Sequence, residues 1–205
     1  MKKLTLRCFG LGILVLVAGC AGTPSPKFYT LSPMSDQVNQ QETVTEIRPL
    51  SVAIEPIKFP DFLDRPQIVT RPSPNTLKMS ESHRWGGSLS SNFLRVLGEN
   101  LSTLLGTDRI FYPRQVKTFP IDYRLTLNVK AFEGDIGKEV VLDVDWIVID
   151  ERHKEAMVMQ NTVIREPVQR LDYESFVAAQ SRALTTLSHR IAGALEQYSI
   201  RQNKK

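Results

Sequence analysis

Hydrophobic residues recur at three- and four-residue steps in two segments, and this spacing predicts two long amphipathic helices. The first predicted helix is capped by Ser80 or Ser82 and stops at Gly106, a residue suited to the turn after a helix. The second follows the N-cap residue Asp172 and finishes near residue 199. The apolar stripe of the first helix comprises Trp85, Leu89, Phe93, Val96, Leu97, Leu101, Leu104 and Leu105.

Apolar and polar residues alternate on both sides of the first helix, and this pattern predicts β-strands. The strands predicted before the helix cover residues 28–31, 50–55, 67–71 and 77–80. Those predicted after it form a meander over residues 122–131, 140–149 and 156–166. The middle strand of the meander is apolar on both faces except at Asp143 and Asp145. We therefore expect it to be central and covered on each side over part of its length.

The order of these elements, strands and helix followed by strands and helix, predicts an α+β fold with two layers. Both long helices would pack on one face of a mixed or antiparallel β-sheet. We expect a single domain over residues 28–199, with a polar loop at about residues 32–48 and a basic tail at residues 200–205. A chain of this length can bury roughly 70% of its unfolded surface, which is sufficient for one core.

The N-terminal segment differs in composition from the rest of the chain. Three basic residues precede a short apolar run over residues 9–17, and Ala18-Gly19 then precedes Cys20. The layout is that of a secretory signal over residues 1–19, and the run is too short to span a bilayer as a helix. The small residues before the cysteine resemble a lipobox, so we expect Cys20 to carry an S-diacylglycerol and an N-acyl group. The alternative is an ordinary signal peptide that leaves Cys20 free or in a disulfide.

An acylated Cys20 would attach the domain to a membrane through a tether over residues 20–27. Several acyl chains together hold a protein on a bilayer stably. Residue 21 is Ala, and the lack of Asp after the cysteine resembles the pattern that sorts lipoproteins to the outer membrane, on its periplasmic face. The other cysteine, Cys8, lies within the predicted signal, so no structural disulfide or thiolate metal site is expected.

The charge balance argues against nucleic acid as a partner. The chain has 26 Lys and Arg residues against 22 Asp and Glu residues. Lys2, Lys3 and Arg7 lie in the predicted signal, so 23 basic residues face 22 acidic ones after cleavage. Binding to nucleic acid requires a concentrated basic surface, and a nearly neutral domain does not predict one.

No motif of a catalytic or cofactor site occurs in the sequence. The histidines His83, His153 and His189 stand outside any metal-binding spacing, and neither a serine elbow nor a phosphate-binding glycine loop is present. We expect His83 at a helix start, His153 in a turn and His189 among polar helix positions, all as surface residues. The sequence thus predicts a protein that is not an enzyme, with no cofactor and no metal.

Two sets of residues remain as candidate sites for a partner. Asp143 and Asp145 are two residues apart on a predicted strand and therefore project from the same face. They could form a carboxylate pair, a metal site, a partly solvated strand face or an acidic surface for a partner. Phe59, Phe62 and Leu63 lie in a proline-bounded loop. This loop either folds onto the core of its own domain, the interpretation we favour, or contacts a partner.

Several of these segments together resemble the ABC-type transport auxiliary lipoprotein family. They are Cys20, residues 27–31, residues 57–69, and Arg84-Trp85 followed by Leu89, Phe93, Leu97, Asn100 and Leu101. The resemblance covers nearly all of the chain after the predicted signal. Members often have proline where this chain has Ser88, a difference confined to the first turn of the helix.

The resemblance implies an outer-membrane lipoprotein that docks an MCE-type protein of the inner membrane in an intermembrane lipid transport system. It also implies assembly of several copies into a ring, with no reaction of its own. Two alternatives stay open. One is a lipoprotein that activates or assembles a cell-envelope machine, and the other is a periplasmic lipid carrier with an apolar cavity for acyl chains.

Overall fold

The computed structural model describes residues 25–34, 50–112 and 119–202. The predicted signal, Cys20, most of the tether and most of the polar loop lie outside these residues. The elements in chain order are β1 (Lys27–Tyr29), β2 (Val52–Ile54), β3 (Gln67–Ser73), β4 (Thr76–Trp85), α1 (Leu89–Leu105), β5 (Ile110–Phe111), β6 (Tyr123–Gly134), β7 (Glu139–Asp150), β8 (Glu155–Pro167) and α2 (Tyr173–Gln202). The predicted α+β fold with two long helices is confirmed.

The larger sheet has five strands in the order β5-β2-β6-β7-β8. Strand β2 pairs in parallel with β5 and β6, whereas β6, β7 and β8 form the predicted antiparallel meander. Trp146 lies opposite Leu127 on β6 and Gln160 on β8. The sheet is therefore mixed, as predicted.

Both helices pack on one face of this sheet. Helix α2 contacts β7, β8 and helix α1, and its residues Leu184, Leu187 and Ile191 are fully buried. Helix α1 reaches the same face through Phe93, whose ring meets Phe132 of β6 edge to face at 5.3 Å. Burial of these stripes supplies most of the driving force for the layered arrangement.

The remaining strands form a second sheet of three strands, in the order β1-β4-β3. Strand β1 pairs in parallel with β4, and β3 and β4 form an antiparallel hairpin. The sequence predicts the hairpin but not its separation from the five-stranded sheet. That separation depends on pairing between segments far apart in the chain, which local alternation does not encode.

The predicted start of the first helix is wrong. Ser80 and Ser82 lie on β4, which runs to Trp85, and the helix begins at Leu89. Ser88 is the actual N-cap, and its Oγ accepts a hydrogen bond from the backbone N–H of Ser91. Trp85 fits the helical spacing, but it lies on β4, which pairs with strands on both of its sides. The Trp85 side chain is buried in the core as part of this strand.

The other helix boundaries follow the sequence more closely. Gly106 ends α1 with φ of 59°, the left-handed conformation that glycine adopts without strain. Asp172 accepts a hydrogen bond from the backbone N–H of Ser175 at 2.7 Å, as expected of an N-cap. Helix α2 extends to Gln202, beyond the predicted end near residue 199 and into the segment expected to be a tail.

Strand β7 is central, as predicted, but only one of its faces is buried. Residues Val140, Leu142, Val144, Trp146 and Val148 are buried toward the helices. The alternate residues, which include Ile147 and Ile149, are partly exposed. The expected cover on the second face is absent from the part of the chain that the structure describes.

Candidate functional site

The uncovered face of the five-stranded sheet carries the carboxylates that the sequence singled out. We call it the open face and define it by residues of β6, β7 and β8 that project away from the helices: Lys130, Asp143, Asp145, Ile147, Met159, Asn161 and Val163. Alternation along each strand explains this placement, because every second residue on a strand projects to the same side.

Asp143 and Asp145 are held together by a lysine and an amide. The Lys130 ammonium lies 3.2 Å from Asp143 Oδ1 and 3.0 Å from Asp145 Oδ1. Asn161 Nδ2 donates to the same two oxygens at 2.7 and 2.9 Å. Two negative charges therefore share one positive charge and one neutral donor, which leaves the cluster slightly acidic.

The pKa values of Asp145 and Lys130 shift in the directions expected from these contacts. The hydrogen bond from Lys130, with a smaller contribution from Asn161, lowers the pKa of Asp145. Asp145 and then Asp143 raise the pKa of Lys130 by accepting its hydrogen bonds. Both shifts favour the ionised forms of Asp145 and Lys130, so Asp145 holds no proton at neutral pH that it could donate to a substrate.

The cluster also lacks the composition of a metal site. Lys130 occupies the space between the carboxylates where a cation would bind, and a hard cation prefers six or more oxygen ligands. Within the described ranges, no group of three or more histidine, cysteine, aspartate or glutamate side chains is placed to hold a metal ion.

Apolar side chains border the charged cluster on strand β8. Met159 and Val163 are 76% and 45% exposed. Met159 lies opposite Ile147, and Val163 lies opposite Asp143. Among the described strands, β8 pairs only with β7, so one edge of this 13-residue strand keeps unpaired backbone groups. Exposed apolar groups next to a free strand edge are typical of protein interfaces.

The loop with Phe59, Phe62 and Leu63 folds onto the core of its own domain. Leu63 is 2% exposed, and the Phe59 ring meets Phe93 edge to face at 5.3 Å. Phe62 is partly buried beneath the Arg71 guanidinium, which lies 5.6 Å from the ring centroid. Of the two interpretations in the sequence analysis, this arrangement matches the core interpretation.

The two sets of candidate residues do not form one site. Phe59 packs toward Phe132 and helix α1, on the helical side of the sheet, whereas Asp143 and Asp145 lie on the open face. Lys130 and Asn161 were not among the candidate residues predicted from the sequence. Their alternation with apolar neighbours marked them as exposed, but only the pairing register of β6, β7 and β8 places them beside the carboxylates.

Two of the three histidines make contacts with neighbouring side chains. His83 lies on β4 and not at the predicted helix start, and its ring stacks on Tyr173 at 4.0 Å. Burial, together with the charge of Lys27, lowers the pKa of His83. His153 lies in the β7–β8 turn, where its Nδ1 is 3.0 Å from Asp150 Oδ2. These contacts are structural.

A groove of about 820 Å³ lies between the segment around β1 and helix α2. It is lined by residues that include Tyr29, Met34, Glu174, Val177 and Arg182. Apolar surface makes up the larger part of this lining, but Glu166, Glu174 and Arg182 are charged and would be costly to place against acyl chains.

No helix within the described residues has the length and apolarity needed to span a membrane.

Comparison with known proteins identifies the family. The family model for the ABC-type transport auxiliary lipoprotein component matches residues 29–192. The chain belongs to this family, and it is therefore a lipoprotein of a transport system, attached to a membrane of the cell envelope. No match was found among the curated proteins.

Solved structures support the fold. A crystal structure described only as an uncharacterized protein is 18% identical, with a TM-score of 0.68 over 83% of this chain and 99% of the other. The crystal structure of protein XCC0632 from Xanthomonas campestris, of the family DUF330, is 13% identical with a TM-score of 0.68. It covers 87% of this chain and 98% of its own. At these identities the likeness concerns the fold alone.

Proposed function

We propose that this protein is attached through Cys20 to the periplasmic face of the outer membrane and docks an MCE-type protein of the inner membrane. The two together would form part of an intermembrane lipid transport system. The observation that carries this proposal is the family match over residues 29–192, which describes an auxiliary lipoprotein of an ABC-type transporter. The protein acts as a dock and performs no reaction of its own.

The open face is the docking surface in this proposal. It combines a slightly acidic cluster with the exposed side chains of Met159 and Val163. Protein interfaces typically have an apolar centre with a polar rim, and the open face offers both groups side by side. A partner that carries basic and apolar residues would complement it.

We also propose that several copies assemble into a ring. The free edge of β8 supports this, because a long unpaired strand edge can be extended by a strand from a neighbouring molecule. Native mass spectrometry of the acylated protein in detergent tests the proposal. A single closed stoichiometry above two would support a ring, and a monomer at all concentrations would refute it.

In-cell crosslinking tests the docking function. A photoreactive residue is placed at position 159, and crosslinked proteins are purified from membranes and identified by mass spectrometry. The matched control is position 171, where Leu171 is 84% exposed at the other end of β7, near Gly137. Recovery of an MCE protein from position 159 and not from position 171 supports the proposal.

Other outcomes of the same experiment would contradict it. Recovery of a cell-wall synthase or an outer-membrane assembly factor would favour the alternative role as an activator of a cell-envelope machine. Recovery of lipid without any protein partner would favour the carrier. Crosslinks between copies alone would place position 159 in the ring contact and remove the open face as the dock.

A further inference from the structure

Phe28 is the most exposed aromatic residue among those that the structure describes, with 65% of its surface accessible. It lies at the centre of β1, on the edge of the three-stranded sheet. The pairing register places it beside Arg84 of β4, which in turn lies opposite Gln67 of β3. Residues in register project to the same side, so Phe28 and Arg84 share the outer face of this sheet.

The neighbouring residues hold Phe28 in this outward position. Tyr29 turns inward, where its ring lies 5.7 Å from His83 and 6.5 Å from Tyr173. Leu31 is fully buried, and its carbonyl accepts a hydrogen bond from Arg95 at 2.9 Å. The backbone that follows Phe28 is thus anchored by two residues that face the core. Phe28 cannot turn into the core without breaking these contacts.

A cation accompanies Phe28 on this face. Arg84 is partly exposed and lies beside Phe28 in the pairing register, and its Nε donates to the Glu81 carbonyl at 3.4 Å. Lys27 is exposed and in register with His83, so it lies on the face of Tyr29. Arg84 forms no ion pair with a carboxylate within the described part of the chain. An exposed aromatic ring with a cation beside it matches the chemistry of an anionic membrane surface, where apolar groups insert and cations meet phosphates.

The length of the tether brings this surface to the bilayer. Phe28 follows Cys20 by eight residues, which span less than about 30 Å even when fully extended. Acyl chains on Cys20 therefore keep Phe28 within this distance of the hydrocarbon at all times. A group held so close to a membrane meets it at a high effective concentration, which favours a contact made by a single ring.

We infer that Phe28 inserts into the interface of the membrane that holds the acyl chains, with Arg84 on the same face against phosphate headgroups. The inference rests on the lipid anchor of the proposed function but not on the identity of the docked partner. The contact would fix the orientation of the domain on the bilayer, because β1 is part of the folded body. The anchor alone would leave the domain free to rotate.

Tryptophan fluorescence tests the inference on the full-length acylated protein. The native tryptophans are Trp85 and Trp146, which are 4% and 1% exposed and therefore give a shielded background. The variant Phe28→Trp is reconstituted into phosphatidylethanolamine and phosphatidylglycerol vesicles with brominated acyl chains. The matched control is Met159→Trp, since Met159 is 76% exposed on the open face.

We expect brominated lipid to quench the added emission of Phe28→Trp at least about twofold and that of Met159→Trp hardly at all, because bromine quenches only at close range. Equal quenching in the two variants would overturn the inference. So would a Phe28→Trp signal that is shielded from aqueous iodide without being quenched by bromine, since that pattern places a second copy or another protein on the residue.

The anchor and the contact have separate readouts. Intact mass of the membrane-extracted protein reports the acyl groups on Cys20, and the quenching reports the position of residue 28. An unacylated chain would overturn both the anchor and the membrane contact. An acylated chain with unquenched Phe28→Trp would overturn the contact alone. Near-ultraviolet circular dichroism verifies that each variant retains the native fold.

Discussion

Arg71 on β3 donates from Nε to Glu133 Oε1 on β6 at 2.8 Å, and this ion pair joins the two sheets. The Glu133 side chain is only 5% exposed, whereas that of Arg71 is 33% exposed. Arg71 also covers the Phe62 ring. One side chain therefore links the three-stranded sheet, the loop before it and the five-stranded sheet.

Arg71→Ala should lower the free energy of unfolding by about 2–4 kcal/mol, because it leaves the Glu133 carboxylate buried without its cation. Chemical denaturation measures this change. The control is Lys138→Ala, since Lys138 pairs with Asp135 at 2.6 Å but is 69% exposed. An exposed pair of this kind contributes at most about 1 kcal/mol. Similar losses in the two variants would show that the bond between the sheets has no special role.

Ser88→Ala should lower the free energy of unfolding by about 1 kcal/mol, the usual cost of losing an N-cap. Its Oγ accepts from Ser91 N at 3.2 Å and donates to Asp64 at 3.0 Å, so the change also removes a contact with the preceding loop. The control is Ser82→Ala on β4, which removes no cap. A larger loss at Ser82 than at Ser88 would contradict the assigned helix start.

Asp150 should make stability depend on pH in the acidic range. Burial alone raises the pKa of Asp150, but hydrogen bonds from the His153 side chain and from the backbone N–H groups of His153 and Arg152 outweigh it and lower the pKa. The folded state thus favours the ionised form. The resulting stability is present above the pKa of the unfolded chain, about 3.9, and is lost as pH falls through the lower folded value.

Unfolding of the wild type and of Asp150→Asn, measured from neutral pH to pH 3, checks this expectation. The wild type should be more stable near neutral pH, and the difference between the two proteins should shrink as the solution becomes acidic. A difference that is constant over the whole range would mean that ionisation of Asp150 contributes nothing.

Replacing both Asp143 and Asp145 with asparagine should weaken capture of the docked partner several-fold without changing the thermal midpoint by more than a few degrees. The two carboxylates lie on the open face and support no buried contact, so the fold does not depend on their charge. Quantitative pull-down and thermal unfolding measure the two effects. The matched control is Glu139→Gln, which neutralises a carboxylate at the start of β7, where it pairs with Arg165 of β8.

The double Asp variant also separates docking from catalysis. If it keeps its partner but loses function in cells, the carboxylates perform chemistry and the proposed dock is wrong. Loss of function in proportion to lost capture agrees with docking alone.

Local patterns were sufficient for the type of the main elements, but the two-residue strand β5 was not predicted. The three strands of the meander and the second helix follow from alternation and from the Asp172 cap, because each signal lies within a few residues of the element that it predicts. The start of the first helix was missed because Trp85 continues the helical spacing while β4 pairs on both of its edges.

The candidate residues were likewise predictable only in part from the sequence. Phe59, Phe62 and Leu63 were recognisable as an unusual apolar loop, but whether they face the core depended on Phe93 and Phe132, which are distant in the sequence. Asp143 and Asp145 were placed on one face by the two-residue period alone. Their pairing with Lys130 and Asn161 required the register of three strands.

By itself, the sequence determined the α+β class, the two amphipathic helices, the central position of β7 and the family resemblance, because these depend on short-range periodicity and on residue identity. The tertiary structure decided that the strands divide into two sheets, that one face of β7 is open and that Phe28 projects outward while Tyr29 turns inward. These features arise from contacts between segments distant along the chain. Such contacts form only when the whole chain packs, so no local sequence pattern predicts them.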